Sequence, residues 1–372
     1  MLAYFAYMQT SVGTLMPFLR DELGLSYTVG ALHMSALALG MVLAGLVGDR
    51  TAALLGRGRV FWGGAIGMAL GAVGLMLGGT IAVTIPSALS MGIFGTLLIG
   101  SIQATLADHH GTQRTIAFTE SNIAASILAA LAPLLIGIFQ RTGVGWRGAL
   151  IAGIVLLIGL ALVLGQTQIP AVRTSQRERR SQRLPQRFWI AWLVIVLVVS
   201  IEWCLTFWGN DFLRKAVGLA PADAATLMGI YFGAIVLGRI AGSRLSRQIS
   251  DIQLLWGVIG LTIVGFPLFW LGNIPIVNIT GLFLMGLGIA NLFPLSLAIA
   301  VDASDGQTDA ASARATLGSG LAILTLPLVL GSAADAVGVR SAFVIVAGLL
   351  FVLVGILWLS GRAPLPILTP DS

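Results

Sequence analysis

The chain has 372 residues, of which 57% are hydrophobic and only 10% charged, with 47 glycines and a formal net charge of +6. That apolar fraction exceeds what the core of a water-soluble chain of this length needs, so a soluble globular protein is excluded. Runs such as "IVLLIGLALVL" do not alternate at the strand period, which leaves an all-α integral membrane protein rather than a transmembrane barrel.

Apolar runs long enough to cross the hydrocarbon layer cover 1–18, 27–48, 60–79, 81–106, 115–138, 147–165, 188–209, 223–245, 253–272, 275–300, 311–334 and 341–360, twelve transmembrane helices in all. After the second comes "GLVGDRTAALLGRGRV", residues 45–60, which places Asp49, Arg50, Arg57 and Arg59 together as a loop. Between the sixth and seventh lies "QTQIPAVRTSQRERRSQRLPQRF", with six arginines and two prolines, a linker whose cations fix topology and touch anionic headgroups. An even number of spans puts both chain ends on one side. Assigned to their nearest loop, fifteen of the 21 basic residues fall on that side, so the positive-inside rule makes both termini cytoplasmic and the expected location a cell (plasma or inner) membrane. No basic surface is interleaved with aromatics, so nucleic acid is not an expected partner. The aromatic pair Phe61 and Trp62, and Trp256, suit an interfacial belt. Cys204 is the single cysteine and lies inside a span, so no intrachain disulfide can form. No P-loop, dinucleotide fingerprint or zinc-protease helix is present, so no cofactor, no metal and no enzyme chemistry are expected.

Sliding the sequence against itself by 194 residues gives an ungapped internal match. Phe18 to Arg20 falls on Phe212 to Arg214, Trp62 on Trp256, Met91 on Met285, Asp108 on Asp302, and "PLLIG" from Pro133 on "PLVLG" from Pro327. The expected architecture is therefore two parallel six-helix bundles, a 6+6 pseudo-two-fold repeat: 1–168, a cytoplasmic linker 169–187, a second bundle 188–362 and a cytoplasmic tail 363–372. The same offset sets the start of the first span about six residues before Met1, and no cleaved signal peptide is read there.

Two six-helix halves joined by a basic loop, with the 45–60 stretch after the second helix, resemble the major facilitator superfamily of secondary transporters. The signature positions are Gly45, Asp49, Arg50, Gly56, Arg57 and Arg59. The chain departs from the family pattern in the spacer "TAALL", in lacking the arginine of the fourth helix, and in keeping only "ALAPLLIG" of the fifth-helix glycine-proline motif. The resemblance implies that the second helix meets the eleventh, bearing Arg314, and the fifth, bearing Glu120, meets the eighth, bearing Arg239. Asp49 with Arg314 and Glu120 with Arg239 then read as a cytoplasmic gate. A plainer reading is that the Asp49 stretch orders a loop and sets topology.

Small residues at fourth positions, Gly40, Ala44 and Gly48, Gly63, Gly67 and Gly71, and Gly229 with Gly233, mark close helix packing. Prolines 86, 133, 294 and 327 bend their spans. An ionisable group near the membrane midplane is costly unless it has a task or a partner, which singles out Glu202 in "SIEWCLTFWGND" as a substrate or proton site, with Trp203 and Trp208 as an apolar wall. A Glu202 silently paired within its own half is the alternative. Gln9, His33, Gln103, Asn122 and Asn291 are further candidates to face a cavity, His33 having a plainer reading near the outer interface; Asn210 and Asp211 lie farther out, either as site groups or as the end of their helix. The expected function is secondary active transport of a small organic solute by alternating access, with the proton as coupling ion and a monomer in the lipid bilayer. A facilitative uniporter on the same fold, or a non-transporting membrane receptor or scaffold, is the alternative.

Overall fold

The computed structural model describes residues 1–110, 114–165, 167, 169 and 184–362, so most of the linker and the tail lie outside it. Along the chain run α1 (Leu2–Leu23), α2 (Tyr27–Leu55), α3 (Arg57–Leu77), α4 (Ile81–His110), α5 (Arg114–Arg141), α6 (Arg147–Leu164), α7 (Gln186–Lys215), α8 (Pro221–Leu245), α9 (Asp251–Leu271), α10 (Pro275–Asp302), α11 (Thr308–Val337), the short α12 (Val339–Ala342) and α13 (Val344–Arg362). No strand occurs among the described residues. Among the described residues eleven stretches are long and apolar enough to cross a membrane, α12 and α13 together forming the last, Val339–Leu359. The remaining long helix, α1, has 22 residues but carries Arg20, Asp21 and Glu22 in its last turn. The fold is that of a multi-pass membrane protein.

The 45–60 stretch is not a loop. Thr51 to Leu55 are compatible with a helix, and α2 continues through them until Gly56, whose φ of 85° lies where only glycine is unstrained; α3 begins at the next residue. The spacer "TAALL" is therefore extra helix, and Asp49 lies well before the C-terminal carbonyls of α2 rather than at them. Asn210 and Asp211 likewise do not end a helix, because α7 runs on to Lys215 and buries both completely.

Contacts divide the chain into two compact units, one made of Met1–Gln176 with Ala220–Gly229, the other of Arg177–Leu219 with Ile230–Ser372. Inside each, helices meet backbone to backbone at glycines. A Cβ on Gly92 would lie 2.0 Å from the Leu37 carbonyl oxygen, and in the second unit a Cβ on Gly286 would lie 2.6 Å from that of Tyr231. A Cβ on Gly71 would meet the Ser87 oxygen at 2.9 Å and the Met91 nitrogen at 3.1 Å; one on Gly265 would meet the Gly281 oxygen at 2.9 Å and the Met285 nitrogen at 2.8 Å. Every residue of the second set is its counterpart in the first plus 194, so the repeat in the sequence is a repeat of contacts. Gly63 and Gly233 have nothing within 4 Å of an added Cβ and do not serve the packing expected of them.

A polar corner recurs at matching places in the two units. In the first unit Arg147 spans three helices, its Nε donating to the Met76 carbonyl at 2.8 Å and its Nη1 and Nη2 to the Glu22 carboxylate at 2.9 and 2.5 Å, while the Trp146 indole also donates to Glu22. In the second, Arg340 donates to the Ala216 carbonyl at 2.8 Å and its own carbonyl accepts from the Trp270 indole at 2.7 Å. The hydrogen bond from Arg147 holds the Glu22 carboxyl below its ordinary value of 4.5. A lowered folded pKa contributes stability that is present above pH 4.5 and is lost as pH falls through the lower folded value. Glu22→Gln should therefore flatten the fall in melting temperature between pH 6 and pH 3. The side chains are 42% and 38% exposed, so screening keeps the effect to about 1 kcal/mol or less.

Candidate functional site

Glu202 lies near the middle of the 30-residue α7, half-buried in the second unit. The Arg239 guanidinium, in the last third of α8, acts on its carboxylate electrostatically. Tyr231, on α8 two turns before Arg239, is completely buried, and its hydroxyl is influenced by Glu202, Arg239 and Thr206. Four polar side chains on two apolar helices thus influence one another within one unit: a carboxylate, a guanidinium, a phenol and a hydroxyl. An acidic group under the field of a cation can exchange a proton or hold a charged or hydrogen-bonding solute group.

Around this cluster the structure sorts the sequence candidates. Trp203 is half-buried beside Glu202 and remains available as an apolar surface. Trp208 does not: it is fully buried, its indole donates to the Pro327 carbonyl at 2.9 Å, and its ring packs edge-on against Phe207 at 4.7 Å, tying α7 to α11. Asn291 donates from Nδ2 to the Gly238 carbonyl at 2.7 Å and fills the space left by Gly242, so it fixes the stretch of α8 that carries Arg239. In the first unit Gln9 is half-buried, with Nε2 3.6 Å from the Met41 sulfur, and Gln103 and Asn122 are exposed on the unit's surface. His33 is completely buried; Nδ1 lies 2.9 Å from the Val29 carbonyl and Nε2 2.8 Å from the Thr84 hydroxyl, linking α2 to α4.

The signature residues separate in the same way. Arg57 is buried and bonds to Asp108 at 2.6 Å, so a cation at the unfavourable N-terminus of α3 is offset by a carboxylate at the end of α4. Gly56 supplies the break between α2 and α3, while Gly45 has open space around it. Arg50 and Arg59 are exposed. Glu120, Arg239 and Arg314 are exposed within their own units, and the Arg314 carbonyl accepts from the Trp192 indole at 2.7 Å. The Asp49 side chain lies outside what the structure describes.

Sequence reading passed over Tyr231 and Thr206. The available signal was a phenol in the apolar run "GIYFGAIV", where a buried hydroxyl needs a polar neighbour. It also missed Tyr4 and Tyr7, whose hydroxyls donate to the Ala65 and Ala149 carbonyls at 3.2 and 2.7 Å and bind α1 to α3 and α6. Among the described residues no group of three or more histidine, cysteine or acidic side chains could hold a metal ion.

Long apolar helices and a contact pattern repeated at an offset of 194 residues define a polytopic membrane fold. The family model of the Major Facilitator Superfamily matches residues 1–308, and the chain belongs to that superfamily. No curated protein matches the chain. Among solved structures, it is similar to a bacterial homolog of the human lysosomal transporter Spinster in an inward-facing and occupied conformation, with a TM-score of 0.76 at 14% identity over 100% of this chain and 97% of the other. A point mutant of the nucleoside transporter NupG aligns with a TM-score of 0.74 at 16% identity, covering 96% and 98% of the two chains. A D-xylose-proton symporter aligns at 0.73 and 14% identity, covering 95% and 94%. At these identities the likeness is one of fold.

Proposed function

We propose that the chain is a monomeric secondary active transporter of a cell membrane, with both termini cytoplasmic, moving a small organic solute by alternating access coupled to protons. It performs no chemistry on its cargo. The observation that carries this reading is the Glu202, Arg239, Tyr231 and Thr206 cluster on α7 and α8, a titratable carboxylate under the field of a cation in otherwise apolar helices. Protonation of Glu202 would weaken its interaction with Arg239, giving the proton a differential effect on two states of the carrier. The D-xylose-proton symporter of like fold supports proton coupling as a usable mode on this scaffold. The test is flux into proteoliposomes across a panel of small organic acids, amines and antimicrobials, with and without an imposed proton gradient. Accumulation that follows the gradient supports coupling, equilibration that ignores it marks a uniporter, and no flux of any panel member above protein-free vesicles defeats the carrier reading.

The signature stretch belongs to the same proposal as a cytoplasmic gate in which Asp49 faces Arg314 and Glu120 faces Arg239. Arg239 then has two acidic partners, Glu202 in its own unit and Glu120 in the other, and exchange between them would link gate to site. Asp49→Asn should shift molecules toward the inward-open state, raising the labelling rate of a Thr316→Cys variant by up to about fivefold, since a water-exposed pair contributes about 1 kcal/mol or less. An unchanged rate leaves the stretch as a loop clamp and topology signal.

A further inference from the structure

His33 is completely buried in the first unit, and neither the signature stretch nor the Glu202 cluster uses it. It lies in the second turn of α2 and reaches the first turn of α4, one turn before Leu37, on whose carbonyl Gly92 packs. Its hydrogen bonds fix its protonation. The Val29 carbonyl, 2.9 Å from Nδ1, can only accept, so Nδ1 carries a hydrogen. In the neutral ring Nε2 is then a bare acceptor, and the Thr84 hydroxyl at 2.8 Å donates to it. That hydroxyl has one hydrogen and a second acceptor, the Thr80 carbonyl at 3.2 Å. A proton on Nε2 reverses the arrangement: the Thr84 oxygen must accept from the ring, its own hydrogen turns to Thr80, and a cation now sits in the α2–α4 contact. The surroundings oppose that cation. α2 packs on α1, α3 and α4. The ionisable ends of α3 and α4, Arg57 and Arg59 on one, Asp108, His109 and His110 on the other, lie far along those helices, and Asp49 and Arg50 are in the last third of α2. The phenols of α1, Tyr4 and Tyr7, are bound to α3 and α6. At its other end α1 brings Arg20, whose Cδ would lie 2.5 Å from an added Cβ on Gly30 and whose guanidinium is 3.7 Å over the Tyr27 ring; beside it Asp21 is exposed and Glu22 is held by Arg147. A protonated ring would thus stand one turn from Gly30 and its covering arginine, against the positive N-terminal end of α4, with the carboxylates of α1 turned to water and to Arg147.

We propose that His33 is a proton-responsive clamp of the first unit, separate from Glu202: neutral, it ties the N-terminal ends of α2 and α4 together through Thr84, and protonated, it lets them part. The inference does not depend on the carrier reading, since the clamp and the contact it holds lie within one unit. Acid then loosens α2 from α4 at a place where neither a solute nor the coupling proton need bind. One proton changes an opening equilibrium by at most tenfold per pH unit, so the response is graded.

Ala88 reports on the contact, being completely buried and standing between Thr84 and Gly92 at helical spacing, on the face of α4 that meets α2. In full-length Cys204→Ala protein reconstituted in liposomes, the rate at which an Ala88→Cys variant reacts with N-ethylmaleimide is divided by that of a Thr142→Cys variant, exposed just beyond α5, which removes the pH dependence of the reagent. The ratio should rise on the order of tenfold between pH 7.5 and pH 5. The rise should vanish in His33→Gln, which cannot be charged. A second measurement leaves the clamp untouched: in His109→Gln, His110→Gln protein, which keeps one of the three histidines, the ring nitrogens of His33 are followed by NMR with nitrogen-15-labelled histidine. Nδ1 should be protonated and Nε2 bare at pH 7.5, and both should be protonated over the pH range in which the ratio rises. A ratio that is flat with pH overturns the clamp, as does a rise that persists in His33→Gln. So does a hydrogen on Nε2 alone at pH 7.5, because Val29 and Thr84 then do not hold the ring as inferred. If His33→Gln does not fold, the titration still decides: a ring that takes up its proton without any change in Ala88→Cys reactivity rules the clamp out.

Discussion

Glu202→Gln should bring proton-driven accumulation down to the level of protein-free vesicles while leaving exchange or downhill flux of the same solute partly intact. Glutamine keeps the size and hydrogen-bonding shape of the side chain but cannot take up or release a proton, so the substitution separates coupling from packing. Arg239→Gln should lower accumulation on the order of tenfold, the equivalent of one lost charge interaction, because the carboxylate keeps its proton chemistry but loses the cation that reports it. Combining the two should cost little more than Glu202→Gln alone, since the residues act as one unit. Purified protein, a pH jump across the vesicle membrane and a radiolabelled solute from the screening panel are sufficient. Accumulation by Glu202→Gln equal to that of the parent chain, with the same pH dependence, would remove Glu202 from the coupling step and leave it as a silent partner of Arg239.

The parts of the fold that were legible in the sequence are those in which one physical cause acts alone. Membrane thickness sets the length of an apolar run, so the spans appear at nearly their observed positions, and pairs such as Met91 with Met285 expose the repeat without coordinates. Helix ends were harder. Hydropathy falls at Asp49, but hydrogen bonding continues to Leu55 because nothing in "TAALL" breaks a helix; the end is set by the left-handed backbone at Gly56, not by polarity. Glu202 was visible because a carboxylate in an apolar run is rare. Its neighbours were not, since Tyr231 and Arg239 belong to another helix and nothing local says which face of α8 turns toward α7. For the same reason nothing local says that the Trp208 indole turns to the Pro327 carbonyl or the Asn291 amide to that of Gly238.

Gly92→Ala should be among the most damaging single substitutions in the chain. The added carbon would sit 2.0 Å from the Leu37 carbonyl oxygen and 2.8 Å from its carbonyl carbon, and backbone cannot rotate away as a side chain can. The helices α2 and α4 must instead separate, breaking the contacts that Gly40 makes from the other side, where a Cβ would meet the Leu89 oxygen at 2.3 Å. Overpacking of this kind typically costs about 1–3 kcal/mol and more where backbone must shift, and in a bilayer, where helix association relies on close packing, there is no hydrophobic gain to offset it. The repeat supplies an internal comparison: Gly286→Ala meets the Tyr231 carbonyl at the longer distance of 2.6 Å and should be milder, lowering the melting temperature without emptying the monodisperse peak. Gly63→Ala, with open space around it in the interior of α3, should be neutral or stabilising by up to about 1 kcal/mol through helix propensity. The expected order of thermal stability in detergent is Gly63→Ala at or above the parent chain, then Gly286→Ala, then Gly92→Ala, the last recovered largely as aggregate on size exclusion. If Gly92→Ala melts with Gly63→Ala, then α2 and α4 do not approach as closely as described, and the contact repeat between Gly92 with Leu37 and Gly286 with Tyr231 loses its structural meaning.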